Sequence, residues 1–164
     1  MPRLLLCSVL LLLPVFAQAS AVKSVLPDAE LRGAATFRFI GFPLYEARLF
    51  TKSGAALDWS KDFGLELKYL RNLSEYDLVT GTMREINRTG AALPVRGQLE
   101  QCFEDVRKGD RYVAVTRGQN RIGFWLNGKR TCTLSHPQIK TRFMAIFLGD
   151  NTRSKSFTRK LRGE

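Results

Sequence analysis

The sequence predicts an α+β domain in which helices pack on one face of an antiparallel sheet. Strand patterns occupy both ends of the chain and enclose a block of helical periodicity. Tight turns join neighbouring strands, as in antiparallel hairpins. The sequence contains no internal repeat, low-complexity tract or linker that would divide it. We therefore expect one domain after a short N-terminal segment.

Three segments carry the strand prediction. Residues Leu31 to Thr51 are rich in Phe, Tyr and Leu and are broken at Gly41 to Pro43, which predicts two strands with a tight connection. Apolar and polar residues alternate from Phe63 to Tyr69, as expected of a strand with one buried face. Asn127-Gly128 separates two further strand-like runs and predicts a two-residue hairpin turn.

Helical periodicity and capping residues predict four helices. Ser74 and Asp77 have the spacing of a capping box, and Gly90 is a natural end for the helix that follows. A second helix is predicted from Val95 to Val106. The last two are predicted after Ser135, with Gln138 in the capping-box position, and after Ser154.

Residues 1–19 have the pattern of a cleavable signal peptide. Arg3 precedes an apolar run from Leu4 to Ala17, and Ala17-Gln18-Ala19 offers small residues at a cleavage site. The alternative is a retained membrane anchor, but the run is shorter than the roughly 20 residues of a spanning helix and contains Pro14. We expect a periplasmic or secreted protein whose domain occupies residues 20–164.

The chain is strongly basic. It has 26 Lys and Arg against 15 Asp and Glu, a net charge of +11, and one of the positive charges lies in the predicted signal. Such a charge favours anionic partners, including carboxylate ligands and acidic membrane surfaces, although it also serves solubility alone. No nucleic-acid-binding motif accompanies the charge, so nucleic acid is not an expected partner.

Residues with metal or redox chemistry are few. His136 is the one histidine and lies in a predicted helix start, where an exposed capping role is expected. Together with Cys102 and Cys132 it cannot supply four nitrogen and sulfur ligands for structural zinc. No nucleotide-binding loop is present, so neither a metal nor a cofactor is expected. The two cysteines are candidates for a disulfide in an oxidising compartment, or for two separate buried thiols.

Two methionines are candidates for the lining of an apolar cavity. Met83 and Met144 lie on predicted helices over a sheet rich in Phe and Leu. Flexible methionines on such helices can bound an elongated apolar space. The alternative is that both side chains fill an ordinary core.

The segment after Leu31 resembles the opening hairpin of the chalcone isomerase-like proteins, particularly their exported bacterial branch. The matching residues are Gly33, Arg38 and the LYEARL run from Leu44 to Leu49. Similar pieces follow in the same order: LELKYLRNLS, MREINRTG, KGDRYVAV, FWLNGK and FMAIFLGDNTRS. The resemblance implies an open-faced β-sandwich, with a large antiparallel sheet, a layer of helices and a ligand cleft between them.

The resemblance also implies candidate ligand-binding residues. Plant chalcone isomerases polarise the substrate ketone with an Arg on the first strand and a Thr on the second, whereas fatty-acid-binding relatives hold a carboxylate with an Arg and a Tyr. The Thr position falls at Tyr45, as in the binding branch. The Arg position falls at Arg38, with Arg32 as a competitor. Strict alternation turns Arg38 away from the cleft if Phe37 and Phe39 face the helices, and a bulge would reverse this.

Three functions remain open at this point. The first is non-catalytic periplasmic binding of an apolar or amphipathic small molecule such as a fatty acid, with Arg38 and Tyr45 at its head group. The second is an isomerase or intramolecular lyase of the chalcone isomerase type, although its remaining catalytic Tyr and Asn match no motif here. The third is an interaction module whose basic C-terminal helix, beginning after Ser154, docks on an acidic partner or an anionic membrane surface.

Overall fold

Six strands form one antiparallel sheet in the computed structural model, which describes residues 21–164. The strands are β1 (Ala29–Phe39), β2 (Phe42–Lys52), β3 (Gly64–Tyr69), β4 (Arg111–Arg117), β5 (Arg121–Leu126) and β6 (Lys129–Ser135). Each strand pairs with the next one along the chain, so the sheet is a meander with β1 and β6 at its edges. The predicted signal peptide, residues 1–19, lies outside the described residues.

Helices cover one face of this sheet. The helices are α1 (Ala21–Val25), α2 (Glu75–Thr89), α3 (Arg96–Cys102), α4 (Ile139–Leu148) and α5 (Lys155–Arg162). The last four share one apolar core with the sheet, which confirms the predicted α+β architecture. Within residues 21–164, no helix is long and apolar enough to cross a membrane.

Helix α1 packs on the opposite face, although the sequence analysis predicted no helix before Ser74. Its Val22 is fully buried in a second apolar cluster with Phe50, Val113 and Trp125. Gly64 permits this approach, because a Cβ there would lie 2.5 Å from a methyl group of Val22. One short turn of helix therefore shields apolar residues that alternation places on the open face.

Two of the predicted helix starts are confirmed in detail. At α2, Ser74 Oγ accepts a hydrogen bond from Asp77 N at 3.1 Å, and Ser74 N donates to the Asp77 carboxylate at 3.0 Å. At α5, Ser154 Oγ accepts from Phe157 N at 3.3 Å. Both caps satisfy backbone donors that the first turn of a helix leaves without partners.

The predicted cap at Ser135 is wrong. Ser135 is the last residue of β6, and its backbone N–H donates to Gln98 Oε1 at 2.8 Å. Helix α4 instead begins after Gln138, which has a left-handed backbone with φ of 61° and no side-chain capping bond. Strand pairing thus uses the residue that the sequence pattern assigned to the helix.

The helix predicted from Val95 to Val106 is shorter than expected. It ends at Cys102, and Val106 instead exchanges backbone hydrogen bonds with Leu73 at 2.9 and 3.0 Å. This isolated bridge fixes the segment after α3 beside the start of α2.

The C-terminal helix is seated directly on the edge strand. A Cβ at Gly33 would lie 2.5 Å from the carbonyl oxygen of Leu161, so only glycine allows this approach of α5 to β1. Arg32 completes the contact by donating to the carbonyl oxygens of Arg162 at 2.8 Å and Gly163 at 3.2 Å. The Arg32 guanidinium therefore binds the end of α5, where backbone carbonyls lack helical partners.

A disulfide joins Cys102 in α3 to Cys132 in β6. The two Cα atoms are 5.0 Å apart, and 30 positions separate the cysteines along the chain. The bond ties the short helix α3 to the far edge of the sheet, opposite the edge that α5 covers.

We predict that replacing Cys102 and Cys132 together by Ala lowers the free energy of unfolding by about 3 to 4 kcal/mol, because the unfolded chain loses a cross-link that closes a loop of this length. Urea unfolding followed by circular dichroism measures the change. Wild-type protein unfolded in the presence of a reductant is the control and should lose a similar amount. A loss below about 1 kcal/mol in both would contradict this role.

Candidate functional site

A small enclosed cavity lies between the sheet and helices α2 and α4. Its volume is about 50 Å³. The residues around it are mostly aromatic or aliphatic: Leu65, Leu67, Tyr69, Leu78, Thr82, Phe103, Tyr112, Ala114, Phe124, Phe143 and Phe147. A water molecule occupies about 30 Å³ in the liquid, so the cavity as it stands holds one small group within an apolar wall.

Tyr69 brings a free hydroxyl to this cavity. The residue is 6% exposed, and its hydroxyl makes no hydrogen bond to any residue between 21 and 164. Burial, followed by the neighbouring Tyr112, raises the pKa of Tyr69 well above the usual value for a phenol. The hydroxyl therefore stays protonated at neutral pH and is available as a donor to a bound molecule.

Tyr112 differs because its hydroxyl is already used. It accepts a hydrogen bond from Glu104 N at 2.9 Å and donates to the Cys102 carbonyl at 3.2 Å. Burial raises the pKa of Tyr112 to about 12. This phenol holds the chain after α3 against β4, and we assign it a structural role.

Tyr45 lies at the junction of four structural elements. Its ring stacks on Phe37 of β1 at a centroid distance of 5.2 Å. It makes edge contacts with Tyr69 of β3 at 6.2 Å, Phe147 of α4 at 6.2 Å and Phe157 of α5 at 6.1 Å. Tyr69 and Phe147 belong to the cavity wall. Tyr45 therefore packs against the outside of the cavity wall, on the side nearest the edge strand β1.

A negatively charged side chain lies near the Tyr45 phenol. Glu85 of α2 accepts hydrogen bonds from Arg88 Nε at 2.8 Å and from Arg153 Nε at 2.5 Å. Burial is the largest cause that raises the pKa of Tyr45 above its usual range, and electrostatic interactions with Tyr69 and Glu85 add to it. Tyr45 is consequently a neutral hydrogen-bond donor.

A larger open groove lies along β1, β2 and α5. Its volume is about 700 Å³, and its lining residues are Ala34, Ala35, Thr36, Arg38, Glu46, Ala47, Arg48, Ser154, Ser156, Phe157 and Lys160. Arg48 is paired with Glu66 at 3.5 Å. Arg38 and Lys160 form no ion pair within residues 21–164. The groove thus presents two cations without an ion-pair partner, together with the Glu46 carboxylate and the apolar side chain of Phe157.

The four residues predicted to bind a ligand do not converge on one site. Arg38 is exposed, lines the groove and donates to the Gly41 carbonyl at 3.2 Å. Tyr45 lies between the groove and the cavity. Met83 is half-buried beside the core, and Met144 is fully buried in it. Neither methionine lines the enclosed cavity.

The alignment of β1 with β2 is irregular next to Arg38. Pairing shifts between Phe37 and Arg38, so a bulge is present where the sequence allowed one. Arg38 remains exposed, however, and lies on the groove outside the enclosed cavity. Its competitor Arg32 is engaged with the carbonyls at the end of α5.

A fully buried lysine, Lys140, lies at the start of α4 and was not predicted from the sequence. Lys140 Nζ donates to the Lys61 carbonyl at 2.5 Å and lies 5.3 Å from the ring centroid of Phe63. Burial lowers the pKa of Lys140, and the nearby Asp62 carboxylate opposes this effect. Lys140 lies one helical turn before Met144, on the apolar face of α4, and this spacing was the sequence signal for its burial. The contacts tie α4 to the loop before β3.

The comparisons with known proteins support the fold. No protein-family model matches the chain, and no curated protein matches its sequence. Among solved structures, the chain is similar to a fatty-acid binding protein of Arabidopsis thaliana, with a TM-score of 0.64. The match covers 83% of this chain and 87% of that one at 8% identity. At such low identity the similarity shows a shared fold, and it confirms the expected chalcone isomerase-like arrangement of sheet and helices.

The raised phenol pKa values predict a loss of stability at alkaline pH. Unfolded phenols ionise near pH 10, whereas the buried ones stay protonated, so the stability present below pH 10 falls as the pH rises toward 12. We predict that Tyr69→Phe reduces this slope by about 1.4 kcal/mol per pH unit and leaves neutral stability nearly unchanged, because no hydrogen bond is lost.

Urea unfolding at several pH values between 7 and 11.5 measures both effects. Tyr112→Phe is the matched control, since it removes a phenol with two hydrogen bonds and should cost about 1 kcal/mol at neutral pH. An unchanged alkaline slope in Tyr69→Phe would show that this phenol is not held protonated by the fold.

Proposed function

We propose that this domain binds an amphipathic carboxylic acid, such as a fatty acid, without catalysis and outside the cytoplasm. The carboxylate would lie in the groove at Arg38, and the apolar tail would pass Tyr45 into the space between sheet and helices. The observation that carries the proposal is the row of rings in which Tyr45 touches Phe157 of the groove and both Tyr69 and Phe147 of the cavity wall.

The groove supplies suitable chemistry for the head group. A guanidinium can hold a carboxylate through two parallel charge-assisted hydrogen bonds. Arg38 is free to do so, because its one hydrogen bond to a described residue goes to a backbone carbonyl. Lys160 adds a second positive charge on the same groove. The Tyr45 phenol, which stays protonated, is a further donor between groove and cavity.

The tail requires a larger space than the cavity has without a ligand. Pockets for ligands of this size typically measure about 300 to 1,000 Å³, compared with about 50 Å³ here. We expect the Tyr45 ring to rotate and α2 to move outward when the tail enters. Met83, half-buried on α2, is suited to such repacking because its side chain is flexible. Met144 would form the base of the enlarged space.

Fold similarity and the disulfide add support of a more general kind. The similar Arabidopsis structure is described as a fatty-acid binding protein, but a shared fold alone does not carry function from one protein to another. A disulfide fits an oxidising compartment. With the predicted signal at residues 1–19, it favours a periplasmic or secreted protein of the exported chalcone isomerase-like branch.

A displacement assay with a fluorescent fatty acid tests the proposal on residues 20–164 produced with the disulfide intact. We predict that Thr82→Leu weakens fatty-acid affinity by about tenfold or more, because the larger side chain fills the cavity. Gly81→Ala is the matched control on the same helix: a Cβ there meets nothing within 4 Å. It should leave affinity unchanged and stabilise α2 by about 0.5 to 1 kcal/mol.

The head-group assignment has its own test. We predict that Arg38→Ala weakens binding of the acid by about tenfold but leaves binding of the corresponding fatty alcohol unchanged, because only the acid loses a charged partner. Equal losses for acid and alcohol would contradict a carboxylate contact at Arg38. Absence of fatty-acid binding by the wild-type protein would contradict the proposed function as a whole.

Isomerase activity is the second candidate, and the free hydroxyl of Tyr69 favours it. A protonated phenol in an apolar cavity could donate a hydrogen bond to a substrate ketone. The polar side chains in the described cavity wall are Tyr69, Thr82 and Tyr112, which offer hydroxyl groups and no cation. Turnover of a chalcone faster than in buffer, abolished by Tyr69→Phe, would favour the enzyme over the binder.

The third candidate, docking through the basic C-terminal helix, uses a helix that is already packed. Phe157 and Leu161 of α5 are buried in the main core, and only its basic side remains exposed. Removing the chain from Ser154 onward would therefore expose the core. Charge reversal at the exposed Arg159 tests this candidate without disturbing the packing.

A further inference from the structure

The tip of the β1–β2 hairpin exposes three large apolar side chains. Phe39 is 43% exposed, Ile40 80% and Phe42 63%. Gly41 completes the turn, and a Cβ added there would meet nothing within 4 Å, so the tip projects into solvent. Single exposed apolar residues are common on protein surfaces, but three within four positions at a convex turn form a patch that favours an interaction.

A second hairpin in the same chain has the same backbone turn with more favourable residues. Ile40 and Gly41 have φ of 49° and 79°, and Asn127 and Gly128 have φ of 50° and 84°. Such turns favour Asn at the first position, and a β-branched residue with positive φ is an outlier. Ile40 is thus the most exposed of the three apolar residues and also lies in a strained backbone conformation. Strain that does not serve the fold suggests a role for its side chain.

Two arginines flank the apolar tip. Arg38 is exposed and donates to the Gly41 carbonyl at 3.2 Å. The Arg71 guanidinium carbon lies 5.9 Å from the centroid of the Phe42 ring. Apolar side chains with adjacent cations match the boundary between acyl chains and anionic head groups in a bilayer. The net charge attracts the whole protein to such a surface: it is +11 for the full sequence, and +10 without Arg3 of the predicted signal peptide.

We propose that the β1–β2 hairpin tip inserts into the surface of an anionic lipid bilayer. Phe39, Ile40 and Phe42 enter the acyl boundary, and Arg38 and Arg71 contact lipid phosphates. A bilayer fits this convex tip because lipids rearrange around it, whereas a protein partner would need a matching pocket. Phe39, Ile40 and Phe42 line neither the groove nor the cavity, whereas Arg38 is shared with the proposed head-group site. The test therefore changes Ile40 and keeps Arg38, so its result does not depend on fatty-acid binding.

Co-sedimentation of residues 20–164 with vesicles tests the proposal. Vesicles of phosphatidylglycerol and phosphatidylethanolamine should bind the protein, and vesicles of phosphatidylcholine alone should bind it at least about tenfold more weakly. Ile40→Asn should reduce binding to the anionic vesicles by about tenfold and should leave thermal stability equal or higher, because the turn then copies the Asn127-Gly128 hairpin. Leu31→Ser is the matched control: Leu31 is 46% exposed on β1, far from the tip, and binding should be unchanged.

Three results would overturn the proposal. Ile40→Asn could bind anionic vesicles as well as the wild-type protein does. The wild-type protein could bind neutral and anionic vesicles equally. Finally, the wild-type protein could bind neither kind of vesicle and form a dimer, while Ile40→Asn is a monomer. This result would identify the tip as a contact between two copies of the chain.

Discussion

The packing of Tyr45 against four aromatic rings is the interaction on which the proposed binding route depends. Phe37, Tyr69, Phe147 and Phe157 come from two strands and two helices, so one side chain joins the edge hairpin to the helical layer. Edge-to-face and offset aromatic pairs add stability beyond the apolar area that they bury. The same ring contacts Phe157 of the open groove and both Tyr69 and Phe147 of the cavity wall, so the proposed route for the tail requires it to rotate.

The surroundings of Tyr45 determine which parts of the protein can yield to a ligand. Gly33 allows the close approach of α5 to β1, and Arg32 binds the carbonyl oxygens at the end of α5, so this side of the groove is closely packed. Helix α2 is held at both ends: Glu75 N donates to Asp105 Oδ1 at 2.8 Å, and Arg142 donates to the carbonyl oxygens of Ile86 at 3.0 Å and of Ala91, just after the helix, at 2.6 Å. Leu78 and Thr82, between these two ends, face the cavity. An outward shift of the middle turns of α2 would therefore enlarge the cavity and leave the sheet intact.

Much of the fold could be predicted from local sequence rules, but the site could not. Alternation and turn residues place the strands, because each rule depends on a few adjacent residues. The cap predicted at Ser135 failed because strand pairing and Gln98 engage that residue. The position of Arg38 depends on a pairing irregularity that no local pattern determines. Neither the free hydroxyl of Tyr69 nor the buried charge of Lys140 was predicted. The burial of both residues, and the lack of a hydrogen-bond partner for the Tyr69 hydroxyl, arise only from tertiary packing.

A crystal structure of residues 20–164 with palmitate bound is the most direct test of the proposed binding route. We predict density for the carboxylate within hydrogen-bonding distance of the Arg38 guanidinium. The acyl chain should pass a rotated Tyr45 and end beside Tyr69, between the sheet and a displaced α2. Palmitate bound elsewhere, with Tyr45 still packed between Phe37 and Phe157 as it is without ligand, would contradict this route.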